Sequence, residues 1–317
     1  MSDVAAEEKL QKYLDPAVLS QIRGLDLRTR LVVEGFITGL HRSPFLGLSV
    51  EFAQHREYAP GDDIKHIDWK VYSRSDRYFI KQYEEETNLC ATFVVDVSES
   101  MKYAGRAAKG LTKFHYACCL AASLAHLLQR QQDAVGLATF DEDVRDVLPP
   151  SGHPQQLKTI VHTLEEASRS LKAKTSLEPV CQKVAHKLTN RGLVCLLSDL
   201  FVEEDGLMRG LRLLTHRGHD VMVLHVLDQD ELTFPFDGNI LFRGMEAMGE
   251  ALAQPRALRE GYLEAINRFN ADVQRRCVSN RIQYKLVNTG QNLGVALSEF
   301  LAARHETGRR GNIRRPT

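Results

Sequence analysis

Between residues 91 and 304 the chain alternates short runs of branched apolar residues with longer runs whose apolar positions recur at helical spacing. This alternation constrains the fold more than any other feature. A strand that is apolar on both faces must be covered on both, and helices interleaved with such strands do so by right-handed crossovers, giving a mostly parallel sheet between helical layers. Strands are predicted over 91–97, 134–140, 144–148, 192–197, 220–227 and 282–287, with 144–148 returning on 134–140 across the turn Asp141-Glu142-Asp143. Helices are predicted over 109–130, 155–168, 176–188, 206–216, 258–278 and 293–304. The first of these places Leu111, Phe114, Cys118, Ala121, Ala125 and Leu128 on one stripe. A hairpin is expected over 232–242 because Asp237-Gly238 supplies the positive φ of a tight turn.

The first ninety residues differ in kind: a helix over 19–36, turn-rich sequence, and strand candidates at 48–52 and 77–83. The expected organisation is a small helical and β-containing N-terminal subdomain (1–88) and a Rossmann-like α/β domain (89–305). A basic tail follows (306–317), whose Arg309, Arg310, Arg314 and Arg315 stand among Gly and Pro without core residues and are expected to be disordered.

Composition narrows the function classes. The 317 residues carry 41 Lys+Arg against 41 Asp+Glu, so the basic excess of a nucleic-acid-coating protein is absent. The start is acidic and lacks the apolar stretch of a secretory signal, and no run approaches the roughly 20 apolar residues of a membrane span. The expectation is a cytoplasmic protein with no membrane insertion and no nucleic-acid partner. The six cysteines sit in apolar stretches without CxxC spacing and read as small buried hydrophobes. There is no P-loop, no G-x-G-x-x-G after the first strand and no G-x-S-x-G elbow, and no His is placed to serve Ser98 as a base. The expectation is a protein that is not an enzyme.

One constellation carries chemistry. The strand 91–97 runs into Asp96-Val97-Ser98-Glu99-Ser100, and the later strand 192–197 runs into Ser198-Asp199. Ligands of open α/β sheets bind beyond the carboxyl ends of the strands, where these two loops emerge. A carboxylate and two hydroxyls spaced by two are hard oxygen donors suited to Mg²⁺ or Mn²⁺. Thr175 lies in the turn before the helix that precedes the second acid. Asp96 as a helix cap is the plainer reading of the first acid.

D-x-S-x-S followed by Thr and then Asp resembles the metal-ion-dependent adhesion site of von Willebrand factor A domains. The resemblance implies Ser98 and Ser100 as direct ligands, Asp96 and Asp199 as direct or water-mediated ones, and Thr175 as the fifth contributor. Thr175 lacks a preceding glycine, and Ser176 is an alternative there. The preceding segment sharpens the family. Residues 39–47 (GLHRSPFLG), Glu51-Phe52, Arg56-Glu57-Tyr58, Pro60-Gly61-Asp62-Asp63 and Ile67-Asp68-Trp69 resemble the signature of the domain of unknown function 58 family, over about residues 39–304. In that family the segment precedes a von Willebrand A-like domain. Trp69 reads as an anchor of the small subdomain, with Asp62, Asp63 and Asp68 capping turns or pairing with Arg56 and Arg74.

The resemblance implies a Mg²⁺-dependent protein-interaction adaptor that works with a MoxR-type AAA+ ATPase, which would carry the nucleotide motif missing here. An acidic side chain of a client would fill the open position of the cation. Two alternatives stand beside it: an interaction protein with a degenerate metal site, recognising partners through residues 61–69, and a metal-assisted phosphoester hydrolase using Asp96, Ser98, Ser100 and Asp199.

Overall fold

The computed structural model describes residues 15, 19, 24–40, 54–57, 78–82, 89–107, 110–168, 177–243 and 249–300. The chain divides into two compact units, Leu40–Asn88 on the one hand and Met1–Gly39 with Leu89–Thr317 on the other. Helix α1 (Leu25–Leu40) starts within the larger unit, where the Leu25 N–H donates to Glu165 Oε1 at 2.7 Å and Val32, Val33 and Phe36 are buried. Its apolar face therefore groups the first residues with the α/β core rather than with the segment that follows them.

In the smaller unit β1 (Gln54–Glu57) pairs antiparallel with β2 (Phe79–Gln82), Gln54 opposite Gln82 and Glu57 opposite Phe79. Strand β2 falls within the expected 77–83. Strand β1 is Gln-His-Arg-Glu, which carries no apolar alternation and is made a strand only by its partner. The candidate at 48–52, Trp69, the basic tail and most of the family signature lie outside the described residues.

In the larger unit the elements follow in order: β3 (Cys90–Asp96), α2 (Lys113–Arg130), β4 (Ala134–Phe140), β5 (Val144–Ser151), α3 (Gln156–Ala167), α4 (Leu177–Lys187), β6 (Leu193–Ser198), α5 (Glu204–His216), β7 (Asp220–Leu227), α6 (Gln229–Thr233), β8 (Ile240–Arg243), β9 (Glu250–Ala253), α7 (Pro255–Ser279), β10 (Gln283–Asn288) and a helix α8 over residues 293–300. Six strands form one sheet in the order β10-β7-β6-β3-β4-β5, parallel throughout except for the edge strand β5, which runs antiparallel to β4. This is a Rossmann-like, mostly parallel α/β sheet.

One face of the sheet (Val94, Val194, Leu196, Val221, Val223) packs against α4, α5 and α7 in a single apolar cluster. The opposite face is covered by α2 and α3 against β3 and β4. Helix α2 begins at Lys113 rather than at 109 for a local reason. Gly110 takes φ +92, outside the helical region, and the Thr112 side chain then accepts the His115 N–H at 3.1 Å as an N-cap.

The hairpin expected around Asp237-Gly238 does not form. Asp228 and Glu231 make a capping box that turns residues 229–233 into α6. Gly238 keeps its positive φ, but β8 pairs with β9, and Phe234 packs against the rings of Phe236, Phe242 and Tyr262.

Candidate functional site at the carboxyl edge of the sheet

Strand β3 is central, with β4 on one side and β6 on the other. The chain leaves β3 through α2 towards β4 and comes back to its other side as β6. The carboxyl end of β3 is therefore the topological switch point, where neighbouring loops part and leave a crevice. Asp96 is the last residue of β3, and Ser198 and Asp199 close β6 beside it.

Asp96 is almost wholly buried, and both carboxylate oxygens are engaged. The Ser98 N–H donates to Oδ1 at 2.9 Å and the Ser198 hydroxyl donates to Oδ2 at 2.6 Å. The Ser98 and Ser100 hydroxyls lie 3.0 Å apart. Asp199 is also buried: its Oδ1 accepts the Phe201 N–H at 3.3 Å, and its backbone carbonyl accepts from His225 Nε2 at 2.8 Å. Because a carbonyl only accepts, His225 carries its proton on Nε2, and Nδ1 accepts the Tyr284 hydroxyl at 2.7 Å. Between Asp199 and Phe201, Leu200 takes φ +56, a left-handed conformation uncommon for residues with a side chain and often found at sites.

The second carboxylate oxygen of Asp199 belongs to a residue the sequence did not single out. Lys113 Nζ donates to Asp199 Oδ2 at 2.8 Å and to Glu231 Oε1 at 2.7 Å, with the ring of Phe201 5.0 Å away. Glu231 is held in turn by accepting the Asp228 N–H at 2.7 Å. Asp228 ties the loop after Ser100 to the end of β7, accepting the Gly105 N–H at 3.0 Å and the Thr289 hydroxyl at 2.7 Å.

The electrostatics follow from burial and these neighbours. Burial, then the Asp199 charge, pushes the Asp96 carboxyl up to about 7 against the hydrogen bonds from Ser198 and Ser98. Burial opposes charge on Lys113, but Asp199 and Glu231 outweigh it and raise its pKa. Burial raises Glu231, with Lys113 opposing, and burial lowers His225 to about 4.

Of the five residues expected to form the site, Asp96, Ser98 and Ser100 are joined by direct hydrogen bonds, and Asp199 is close enough for its charge to raise Asp96. Thr175 and its alternative Ser176 lie outside the described residues. Among the described residues no group of three or more His, Cys, Asp or Glu side chains is arranged to hold a metal ion, so a cation here would draw on the hydroxyls. Carboxylate and hydroxyl oxygens are the donors that hard divalent ions take, and the mutual repulsion of Asp96 and Asp199 is the field such an ion relieves, so the residue set fits Mg²⁺. Lys113, Ser198 and Glu231 were missed. The available signal was Lys113 itself, a cation in the first helical turn, where the helix dipole disfavours positive charge.

The family profile described as "Protein of unknown function DUF58" matches residues 54–272. Uncharacterized proteins of Mycobacterium tuberculosis and Mycobacterium bovis are each 25% identical over 264 residues, 82% of this chain and 81% of theirs. Among solved structures, conserved hypothetical protein BatB from Bacteroides thetaiotaomicron is 17% identical with TM-score 0.46, covering 68% of this chain and 98% of its own. An aerotolerance-related membrane protein from Bacteroides fragilis is 18% identical with TM-score 0.44, covering 66% and 96%. That description overturns the cytoplasmic location expected from the sequence, because a chain similar to this one is described as a membrane protein. Among the described residues no helix is long and apolar enough to cross a membrane.

Proposed function

This chain belongs to the DUF58 family of proteins of unknown function, and from that premise we propose that it is a non-enzymatic protein-interaction module whose contact face is the carboxyl edge of the sheet. The observation that carries the reading is the convergence of Asp96, Ser98 and Ser100 with Asp199 at the switch point of the sheet. Phe201 adds a rim. It is 40% exposed beside Asp199 and stacked on Phe269 with centroids 6.1 Å apart, the kind of aromatic anchor that protein interfaces favour.

In this reading Ser98 and Ser100 hold Mg²⁺, or Mn²⁺, directly, Asp96 and Asp199 do so directly or through water, and Thr175 contributes a fifth position. Bound there among mostly neutral donors, the cation would supply an electrophilic position for an acidic side chain of a client. The working partner is a MoxR-type AAA+ ATPase, which would bring the nucleotide chemistry for which this sequence carries no P-loop motif. A second reading, interaction without a cation, draws support from the Lys113–Asp199 ion pair, which already neutralises one acid.

The test is affinity capture from native lysate in Mg²⁺, in EDTA, and with Asp96→Ala in Mg²⁺, each bait verified as folded. Enrichment of an AAA+ ATPase by wild type in Mg²⁺ alone supports the cation-dependent module. Equal capture in all three arms supports the second reading, and capture of no ATPase in any arm removes the partner assignment.

A further inference from the structure

Lys113 is fully buried at the start of α2, and its ammonium is shared between carboxylates delivered by two different strand ends, Asp199 after β6 and Glu231 in α6 after β7. Its burial sets it apart from the surface lysines. The neighbouring dipole of α2 opposes its charge, and Asp199, Glu231 and the face of the Phe201 ring, 5.0 Å away, hold it there.

We propose that Lys113 is a tethered cation that competes with a divalent ion for Asp199, with Glu231 as the second holding point onto which the ammonium withdraws when Asp199 turns to the ion. The inference rests on the cation-site reading above. Charge counting supports it: Asp199 and Glu231 share the one ammonium, so one of their two carboxylate charges is left for a cation to balance. Lys113 already donates to both acids, so the withdrawal breaks one hydrogen bond and keeps the other. Removing the ammonium raises the site's negative charge and strengthens cation binding. Removing Glu231 commits the ammonium to Asp199 and weakens it.

Calorimetric titration of the full chain with MgCl₂ tests this on wild type, Lys113→Met, Glu231→Gln and the double variant, with folding monitored by circular dichroism. Expected are affinities about tenfold tighter for Lys113→Met and about tenfold weaker for Glu231→Gln, because a unit charge a few ångströms from the ion is removed in each. In the Lys113→Met background the Glu231→Gln effect shrinks, since the two residues act as one unit. If wild type binds and folded Lys113→Met binds no more tightly, the role of Lys113 is overturned while the cation site stands. If neither binds although both fold, the cation reading itself fails, whereas binding by Lys113→Met alone supports Lys113 as the occupant of the site. If Lys113→Met does not fold, Glu231→Gln decides: weaker binding supports the proposal, and unchanged binding overturns it.

Discussion

Lys113 Nζ stands 2.8 Å from Asp199 Oδ2, and both side chains are sealed from solvent, so each charge depends on the other. Truncating one partner of such a pair leaves an uncompensated buried charge, which costs far more than the pair itself contributes. Lys113→Ala is therefore expected to lower stability by about 3–5 kcal/mol in urea unfolding without added metal. The double variant Lys113→Ala/Asp199→Asn should recover part of that loss; strict additivity would contradict an energetically coupled pair.

Two buried groups pull the pH dependence in opposite directions. Asp96 has a folded-state pKa of about 7 against an ordinary 3.8, so the folded state binds its proton more tightly, and the stability it contributes is full below 3.8 and lost as pH rises towards 7. His225 titrates near 4 against an ordinary 6.5. It is neutral in the fold, and its contribution is present above 6.5 and lost as pH falls towards 4. Thermal unfolding in EDTA should show Asp96→Asn gaining stability relative to wild type as pH rises towards 7, where wild type must bury a carboxylate charge, and His225→Gln gaining it relative to wild type as pH falls towards 4. Superimposable profiles for Asp96→Asn and wild type would show that Asp96 is not protonated in this window.

Gly105 is required by close approach rather than by its backbone angle. A Cβ there would lie 1.9 Å from Asp228 Oδ1, the carboxylate that accepts the Gly105 N–H. Gly105→Ala should displace Asp228 from Gly105 and Thr289 and cost about 1–3 kcal/mol. The effect should also be local, seen as faster amide hydrogen exchange over residues 104–107; unchanged exchange would show that Asp228 does not anchor this loop.

Thiol chemistry provides a further check on the core. Cys118, Cys119, Cys181, Cys195 and Cys277 are buried and their thiols are pushed up by burial, whereas Cys90 is half-buried. Under native conditions a thiol reagent should modify Cys90 first, with the other five reacting only on unfolding. Rapid native labelling of Cys195 would place a dynamic opening in the sheet, and of Cys181 one between α4 and the sheet.

The order and kind of the α/β elements were legible because a doubly covered strand must be apolar on both faces, a pattern written locally in runs such as 91–97 and 220–227. The expected 134–140 and 220–227 coincide with β4 and β7. The polar strand β1 and the pairing of β8 with β9 were not legible. The first owes its state to a partner strand, and the second arose because the Asp228–Glu231 capping box displaced the hairpin that Asp237-Gly238 favours. In the candidate site, Asp96, Ser98, Ser100 and Asp199 were visible as chemistry-bearing types at strand ends. Ser198 and Lys113 were not, because their roles depend on residues 102 and 86 positions away.

The sequence by itself determined the sheet-and-helix alternation, the family signature and the carboxylate and hydroxyl groups at the ends of β3 and β6, since each is encoded in local spacing and side-chain type. Tertiary structure alone decided which of those groups meet and in what charge state. Strand order set β6 beside β3, burial and the neighbouring Asp199 raised the Asp96 carboxyl, and the packing of α2 and α6 brought Lys113 between Asp199 and Glu231. Distance and desolvation govern electrostatics, and a linear sequence specifies neither until the chain has folded.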